Sequence, residues 1–239
     1  MSIRLTIVLV MVLSFLNCCA QATVVGDASV ITIGNKKVIR NDGEKTIKGN
    51  GKIVENEVIL TSFEKILNSS CGDIVFHVSE EYKAVITADS NLIEFITTEV
   101  SNDALVIELR KGSVAFKKLV IDVYCPELKS ISMDGYGDFT SKDPIQTTKF
   151  EVSINGFGNT SVTGKADELK VTISGLGSFK GENFIANHVV AQIEGLGSAY
   201  VHANESLNAE IEGLGRIIYS GNPSTVNKNV EGLGRIRKR

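Results

Sequence analysis

The stretch Ile193-Glu194-Gly195-Leu196-Gly197-Ser198 decides the fold, because near copies of it recur along the C-terminal half of the chain. Each copy places one large apolar residue between two glycines. The first glycines of successive copies are 21, 19, 20, 18 and 19 residues apart. A period near twenty is typical of a stacked repeat in which each unit buries its apolar face against its neighbours. The six residues between the glycine pairs are Tyr136, Phe157, Leu176, Leu196, Leu214 and Leu233.

Apolar and polar residues alternate ahead of each glycine pair. In Leu169-Lys170-Val171-Thr172-Ile173 every second side chain is apolar, and other copies follow the same rule. This alternation predicts a strand with one buried face and one solvated face. Equivalent residues of successive repeats would then stack about 4.8 Å apart. The sequence therefore predicts an all-β fold, a single elongated parallel β-solenoid.

The spacing leaves two orientations open for the residue between each pair of glycines. If the strand continues flat, the six residues form an exposed apolar stripe of the kind that marks a binding surface. If each glycine takes a positive φ and turns the chain, the residue points inward and fills a corner of the core. We expect the corner arrangement, because six large apolar side chains exposed in a row invite aggregation.

Residues 1–22 have the features of a secretory signal. One positive charge at Arg4 precedes an apolar run from Leu5 to Leu16, and Ala20-Gln21-Ala22 fits the small residues required for cleavage after Ala22. The apolar run is shorter than the about 20 residues that span a bilayer. We therefore predict a signal peptide and an exported protein.

Export leaves the attachment and the final compartment open. A lipid anchor on Cys18 or Cys19 is the alternative to soluble export, although Asn17 is larger than the residue favoured just before a lipidated cysteine. The periplasm, the cell surface and the extracellular space are all compatible with the signal.

Charge and cysteine content restrict the partners. The formal net charge of −3 argues against nucleic acid, because nucleic-acid binding requires a basic surface. In an oxidising compartment Cys71 and Cys125 could form a disulfide, and two separately buried thiols are the alternative.

The chain ahead of the repeats divides into two parts. Residues 23–56 are rich in Gly, Asn, Lys and Asp, which predicts a polar lead-in or linker before a β-solenoid domain over residues 57–239. Period-two segments then predict strands, and a short helix is expected around Asn91 to Phe95. The predicted strands cover residues 74–78, 84–88, 104–109 and 119–124.

No metal or cofactor site is expected. His77, His188 and His202 each lie singly beside an apolar segment, without a second ligand at metal-binding spacing. Among the residues that follow the second glycines, only Asp138 is acidic. Calcium-binding repeats need such an oxygen ligand in every copy.

Glu194, Glu212 and Glu231 precede the glycine pairs of the last three copies and are predicted to form a column on the solvated face. A column of carboxylates could carry out acid and base chemistry, as in polysaccharide-cleaving β-helices. We expect a solvated surface instead, because like charges stacked at this spacing repel each other.

The chain also resembles a known family, the bacterial exported domain labelled putative auto-transporter adhesin, head GIN domain. The residues that carry this resemblance begin near Glu57 and continue to the C-terminus. They are Phe63–Ile66, Cys71–Phe76, Leu105–Ile107, Pro126–Ser132 with Gly135–Asp138, and Tyr219–Pro223. The resemblance implies a right-handed parallel β-helix and a role in the envelope or at the surface. It brings no catalytic or ligand-binding residues with it.

Export, repeats and resemblance together predict a non-enzymatic binding or adhesion module of the bacterial cell envelope. Its expected partners are glycans, other envelope or surface components, or a second copy of the chain. A carbohydrate-active β-helix enzyme that uses surface carboxylates and a structural spacer without ligand are the alternatives.

Overall fold

The computed structural model describes residues 46–110 and 114–239. The predicted signal, both candidate lipidation cysteines and residues 23–45 of the predicted lead-in lie outside the described residues. In these two ranges no helix has the length and apolar character needed to cross a membrane.

The described chain forms one all-β domain with a single 3-10 turn at Ile93–Phe95. The expected short helix near Asn91 is reduced to this turn. The strands are β1 Ile47–Lys48, β2 Ile53–Ile59, β3 Lys65–Asn68, β4 Asp73–Val78, β5 Lys83–Asp89, β6 Ile96–Ser101, β7 Ala104–Leu109, β8 Val114–Ala115, β9 Leu119–Cys125, β10 Ser130–Met133, β11 Phe139–Ser141, β12 Ile145–Gln146, β13 Lys149–Ile154, β14 Asn159–Ile173, β15 Ser178–Gly195, β16 Ser198–Gly213, β17 Arg216–Ser220, β18 Thr225–Gly232 and β19 Arg235–Lys238.

Two parallel sheets meet along the line of the glycine pairs. The sheet ahead of the glycines has the order β7-β3-β10-β13-β14-β15-β16-β18. The sheet that follows them has the order β9-β4-β11-β14-β15-β16-β17-β19. The long strands β14, β15 and β16 contribute one end to each sheet. The predicted parallel β-solenoid is confirmed, with about six turns.

Columns of identical or similar apolar residues fill the interior. Ile154 pairs with Ile173, which pairs with Ile193 and then Ile211 in successive coils, and each is at most 1% exposed. A parallel column begins at Phe150 and continues through leucine and valine residues. Each such side chain contributes about 1.5–3 kcal/mol when fully buried, so the alternation seen in the sequence is what stabilises the solenoid.

Antiparallel strands cover the first coil. Strand β5 pairs with β9, β2 pairs with β5, and β6 pairs with β7. The β6–β7 hairpin turns at Asn102 and Asp103, whose φ values of 51° and 59° fit a tight hairpin turn. The four strands predicted between residues 74 and 124 are confirmed. Strand β1 lies within the segment predicted as a lead-in, and β2 begins there and pairs with β5.

A buried carboxylate joins two loops at this covered end. Asp89 is fully buried, and its carboxylate accepts hydrogen bonds from the backbone amides of Gly51 at 2.6 Å and Lys117 at 2.7 Å. The amide of Lys118 adds a longer bond. Burial raises the pKa of Asp89, but these three amide donors lower it by more, so the pKa lies below its ordinary value.

The candidate disulfide between Cys71 and Cys125 does not form, because Cys125 is a free, buried thiol. Strands β4 and β9 run parallel, and Cys125 is paired with Val78 at the end of β4. Cys71 precedes the start of β4, seven residues before Val78 and therefore roughly 20 Å away. A disulfide requires Cα atoms within about 7 Å of each other, so the register prevents this pairing.

Candidate functional site

The six residues between the glycine pairs project outward and form what we call the apolar ridge. Phe157 is half-buried and the others are exposed, from 39% at Tyr136 to 85% at Leu233. The expected corner arrangement is therefore wrong, and the exposed stripe is the arrangement that forms. Its members are Tyr136, Phe157, Leu176, Leu196, Leu214 and Leu233.

Backbone hydrogen bonds explain the outward orientation. The amide of Leu214 donates to the carbonyl of Gly195 in the preceding coil at 2.9 Å, and Leu233 donates in the same way to Gly213. This bond runs along the solenoid axis, which leaves the side chain pointing either inward or outward. The inward side has no space, because the glycines there contact the preceding coil directly. The expected positive φ is present at Gly195 and Gly213, at 138° and 128°, but it does not turn the leucine inward.

Two polar columns flank the apolar ridge. Strand pairing stacks Glu194 on Glu212 and Glu212 on Glu231 on one side of the ridge. On the other side it stacks Ser198 on Arg216 and Arg216 on Arg235. The column before the glycines is Asp134, Asn155, Ser174, Glu194, Glu212 and Glu231, and the column after them is Asp138, Asn159, Ser178, Ser198, Arg216 and Arg235.

The ridge differs in chemistry between its two ends. We call Tyr136 and Phe157 with their flanking polar residues the aromatic end, and Leu196, Leu214 and Leu233 with theirs the leucine end. The rings of Tyr136 and Phe157 have centroids 6.2 Å apart and are tilted by 31°. They line an open depression of about 400 Å³, together with Asp73, Gly137, Asp138, Gly158 and Asn159.

Hydrogen bonds fix the polar groups of the aromatic end. Asp73 Oδ1 accepts a bond from the backbone amide of Asp138 at 2.9 Å. Asp138 Oδ1 accepts bonds from the backbone and side-chain amides of Asn159 at 2.7 and 3.1 Å. On the opposite side of the rings, the side-chain amide of Asn155 donates to Asp134 at 2.5 Å. Each carboxylate is thus held in place by a neighbouring coil.

The predicted acidic column forms on the solvated face, as expected from the repeats. Glu194, Glu212 and Glu231 are exposed, and none of them lines the depression at the aromatic end. The sequence reasoning did not single out the aromatic end, although the signal was present. The first two repeats contain both aromatic ridge residues, and they also contain the hydrogen-bonded pairs Asp134–Asn155 and Asp138–Asn159.

The three histidines have local partners and lie apart from one another. His77 Nε2 is 2.8 Å from Asp122 Oδ1, and the His77 ring stacks on Tyr124 with centroids 4.6 Å apart. His188 bonds to a serine hydroxyl, and so does His202. Within residues 46–110 and 114–239, no three His, Cys, Asp or Glu side chains are placed to hold a metal ion.

Comparison with known proteins supports the fold. The chain is similar to the crystal structure of a putative adhesin from Bacteroides fragilis, with a TM-score of 0.69 and 24% identity over 81% of this chain and 100% of that one. It is also similar to a putative adhesin from Parabacteroides distasonis, with a TM-score of 0.59 and 20% identity over 81% and 99% of the two chains. A putative lipid binding protein from the same organism has a TM-score of 0.54 and 22% identity over 82% and 100%.

No curated protein matches the chain. The family profile described as putative auto-transporter adhesin, head GIN domain, matches residues 62–223, which is more than half of the sequence. The chain therefore belongs to the head GIN domain family of putative auto-transporter adhesins.

Proposed function

We propose that this protein is an exported, non-enzymatic binding module of adhesion type at the bacterial cell envelope, and that the apolar ridge is its binding surface. The single observation that carries the proposal is the exposure of five of the six apolar ridge side chains, four of them in successive coils. Contiguous exposed apolar patches on soluble proteins usually mark interaction sites.

The solenoid presents this ridge on a rigid support. Backbone bonds tie five of the six ridge residues to the coil before them, as for Tyr136 and Ser70 at 2.9 Å or Leu176 and Gly156 at 3.3 Å. Six residues at a coil spacing of about 4.8 Å extend over about 24 Å. A preorganised surface loses little conformational freedom when a partner binds, so weak contacts along it can add up.

The proposed location rests on family membership and on the predicted N-terminal signal. The family favours an exported or surface protein. We propose cleavage after Ala22 and release into the periplasm or to the cell surface, with lipidation of Cys18 or Cys19 as the alternative route of attachment. Envelope polymers, surface glycans and a second copy of the chain are the partners within reach.

A carbohydrate-active enzyme has less support. Glycoside hydrolases place two carboxyl groups on either side of the scissile bond, about 5–9.5 Å apart. Glu194, Glu212 and Glu231 instead stack in line along one exposed face. Asp73 and Asp138 lie at the start of the paired strands β4 and β11 in successive coils, on one side of the aromatic rings. Neither set encloses a bond from two sides.

The test compares binding by the full chain and by variants of the ridge. Isolated envelope fractions and a panel of immobilised glycans serve as targets. The double variant Leu196→Ser and Leu214→Ser removes the centre of the leucine end, and Ile185→Ser is the matched control, since Ile185 is an exposed apolar residue outside the ridge. We expect reduced binding for the double variant and unchanged binding for the control.

Equal binding by wild type and ridge variants would show that the ridge is not the binding surface. If the wild-type chain binds none of the targets, the protein is a spacer and the proposal fails.

A further inference from the structure

We propose that the aromatic end is a binding site for neutral saccharides, with sugar rings stacked on Tyr136 and Phe157 and hydroxyl groups donating to Asp73 and Asp138. This inference rests on the proposed binding function and names the ligand class of one end of the ridge.

The two aromatic rings supply the apolar half of such a site. The face of an aromatic ring carries partial negative charge, which attracts the weakly positive C–H groups on one face of a pyranose ring. Tyr136 and Phe157 come from adjacent coils, and their ring centroids are 6.2 Å apart. This spacing is close to the length of one sugar unit, so the pair presents a surface for a short stretch of chain rather than for a single atom or ion.

The carboxylates supply the polar half. Backbone and side-chain amides occupy Oδ1 of Asp73 and Oδ1 of Asp138. In the described ranges, no hydrogen bond or ion pair engages Oδ2 of either residue, or the hydroxyl of Tyr136. Hydroxyl donors on a sugar therefore have charged acceptors available, and bonds to ionised acceptors are about twice as strong as neutral ones.

The shape of the site fits an extended ligand. The depression of about 400 Å³ is open to solvent and is lined by both rings and both carboxylates. Ligand sites combine an apolar floor with a few convergent polar groups, and this depression has that composition. Because the depression is open to solvent, we expect weak binding to a single unit and stronger binding to a polymer that contacts several copies of the protein.

The chemistry of the ridge changes at one position along the solenoid. The first two repeats combine an aromatic residue with aspartate or asparagine on both sides. The third repeat has serine on both sides of Leu176, and Glu and Arg residues flank the leucines of the last repeats. Aromatic residues and hydrogen-bonding acceptors thus occur together at the aromatic end, which distinguishes a saccharide site from a general apolar surface.

The charge of the aromatic end selects among saccharides. Asp73, Asp134 and Asp138 place three carboxylates beside the rings, and none of them forms an ion pair within the described part of the chain. Uronate or sulfate groups would be repelled by these carboxylates. Neutral polysaccharides are therefore the ligand class that fits.

The experiment measures binding of the full chain to soluble polysaccharides by affinity electrophoresis and calorimetry. The probes are dextran, galactomannan and xylan as neutral polymers and polygalacturonate as the anionic one. The double variant Tyr136→Leu and Phe157→Leu gives the first two coils the ridge residue that the later coils already carry, which preserves the fold. Asp138→Asn removes one charge at nearly constant shape. Ile185→Ser, which changes an exposed apolar residue outside the ridge, is the control.

We expect the wild-type chain to bind at least one neutral polymer and not polygalacturonate. The Tyr136→Leu and Phe157→Leu variant should lose binding by tenfold or more, Asp138→Asn should lose several-fold, and Ile185→Ser should bind like wild type. Full binding by the aromatic-end variant would overturn the inference.

Two further outcomes separate this inference from the proposed function. If the wild-type chain binds envelope fractions or phosphatidylethanolamine vesicles through the leucine end but no polysaccharide, the saccharide site is refuted and the binding module remains. If the chain binds no target at all, both proposals fail. Release of reducing ends from a probe would also overturn the inference, because it would make the aromatic end a hydrolase site.

Discussion

Gly197 lies against Ile173 of the preceding coil so closely that a Cβ atom on Gly197 would be 2.5 Å from Ile173 Cγ2. The same contact recurs one coil later between Gly215 and Ile193. The isoleucine of one coil therefore fills the corner space next to the second glycine of the following coil. This is the space that the sequence analysis assigned to the leucine between the glycines, and its occupation explains why the apolar ridge points outward.

Replacing Gly197 by alanine should destabilise the protein. Real Cβ atoms essentially never approach another heavy atom within 3.0 Å, so Ile173 or the backbone must shift. Overpacking of this kind costs about 1–3 kcal/mol. Urea titration of Gly197→Ala should show this loss, with Ser198→Ala as the control at the next position.

A double-mutant cycle tests the cause of this loss. If the contact with Ile173 is responsible, Gly197→Ala should cost less in an Ile173→Ala background, because the clashing methyl group is gone. Additive losses would show that the cost of Gly197→Ala has another origin.

Gly195 should respond differently, because its constraint is backbone conformation. Its φ is 138°, and a Cβ atom there would have its nearest neighbour at 3.4 Å, which is ordinary contact. Residues other than glycine pay about 1–3 kcal/mol in this conformation. Gly195→Ala and Gly195→Val should therefore lose similar stability, whereas at Gly197 valine should cost more than alanine. A melting curve unchanged by Gly195→Val would contradict this account.

Much of the fold could be predicted because it is periodic. The alternation ahead of each glycine pair specifies which face is buried, and the twenty-residue period specifies which residues stack, as Ile173 and Ile193 do. The orientation of Leu196 could not be predicted, because it depends on contact between coils. Neither could the aromatic end, since its depression brings Asp73 beside residues more than sixty positions further along the chain.

The separation of Cys71 from Cys125 is a further case that sequence could not decide. It depends on the parallel register of β4 and β9, in which Val78 and not Cys71 is paired with Cys125. No local pattern in either strand specifies this register. The pairing of Cys71 with Cys125 is excluded only by the register of strands that are distant in sequence.

The free thiol of Cys125 should be unreactive in the folded protein. Burial raises the pKa of Cys125 to about 12, and its Sγ donates to the carbonyl of Glu127 at 3.3 Å. Because the thiolate is the reactive form, maleimide labelling of Cys125 at pH 8 should be slow until urea is added. Mass spectrometry of the labelled peptide distinguishes Cys125 from the other cysteines, and rapid native labelling would contradict its burial.

The same pKa shift predicts a loss of stability at alkaline pH. The folded pKa lies above the unfolded value, so the contribution of Cys125 is complete below about pH 9 and is lost between there and about pH 12. The unfolding free energy of Cys125→Ala should depend less on pH in this window than that of wild type.

Asp89 should make the protein sensitive to acid. Its folded pKa lies below the ordinary value, so its contribution to stability is present above the unfolded pKa of about 3.9 and is lost as pH falls through the folded pKa. At neutral pH, Asp89→Asn should lose about 1.5–3 kcal/mol, because it weakens charge-assisted bonds to buried amides.

The control for this prediction is Asp143→Asn. Asp143 is half-buried and accepts one backbone bond, from Val78 at 3.1 Å, which lies at the surface. Its replacement should leave the unfolding free energy nearly unchanged. The Asp89→Asn variant should also lose part of the dependence of stability on pH below about 4, and equal pH profiles for this variant and wild type would exclude Asp89 as the acid-sensitive group.

The leucine end should affect the binding of apolar molecules but hardly change the free energy of unfolding. Leu196 and Leu214 are each 56% exposed, so replacing both by serine removes little buried area. Each exposed substitution should change the unfolding free energy by less than about 0.5 kcal/mol. The double variant should nevertheless bind less of a hydrophobic dye and associate less at high concentration, because the contiguous patch is broken.

Ile185→Ser, which changes an isolated apolar residue, should affect neither measurement. A large loss of stability in the double variant would mean that the leucines pack inward after all, and the binding surface would then have to be sought elsewhere.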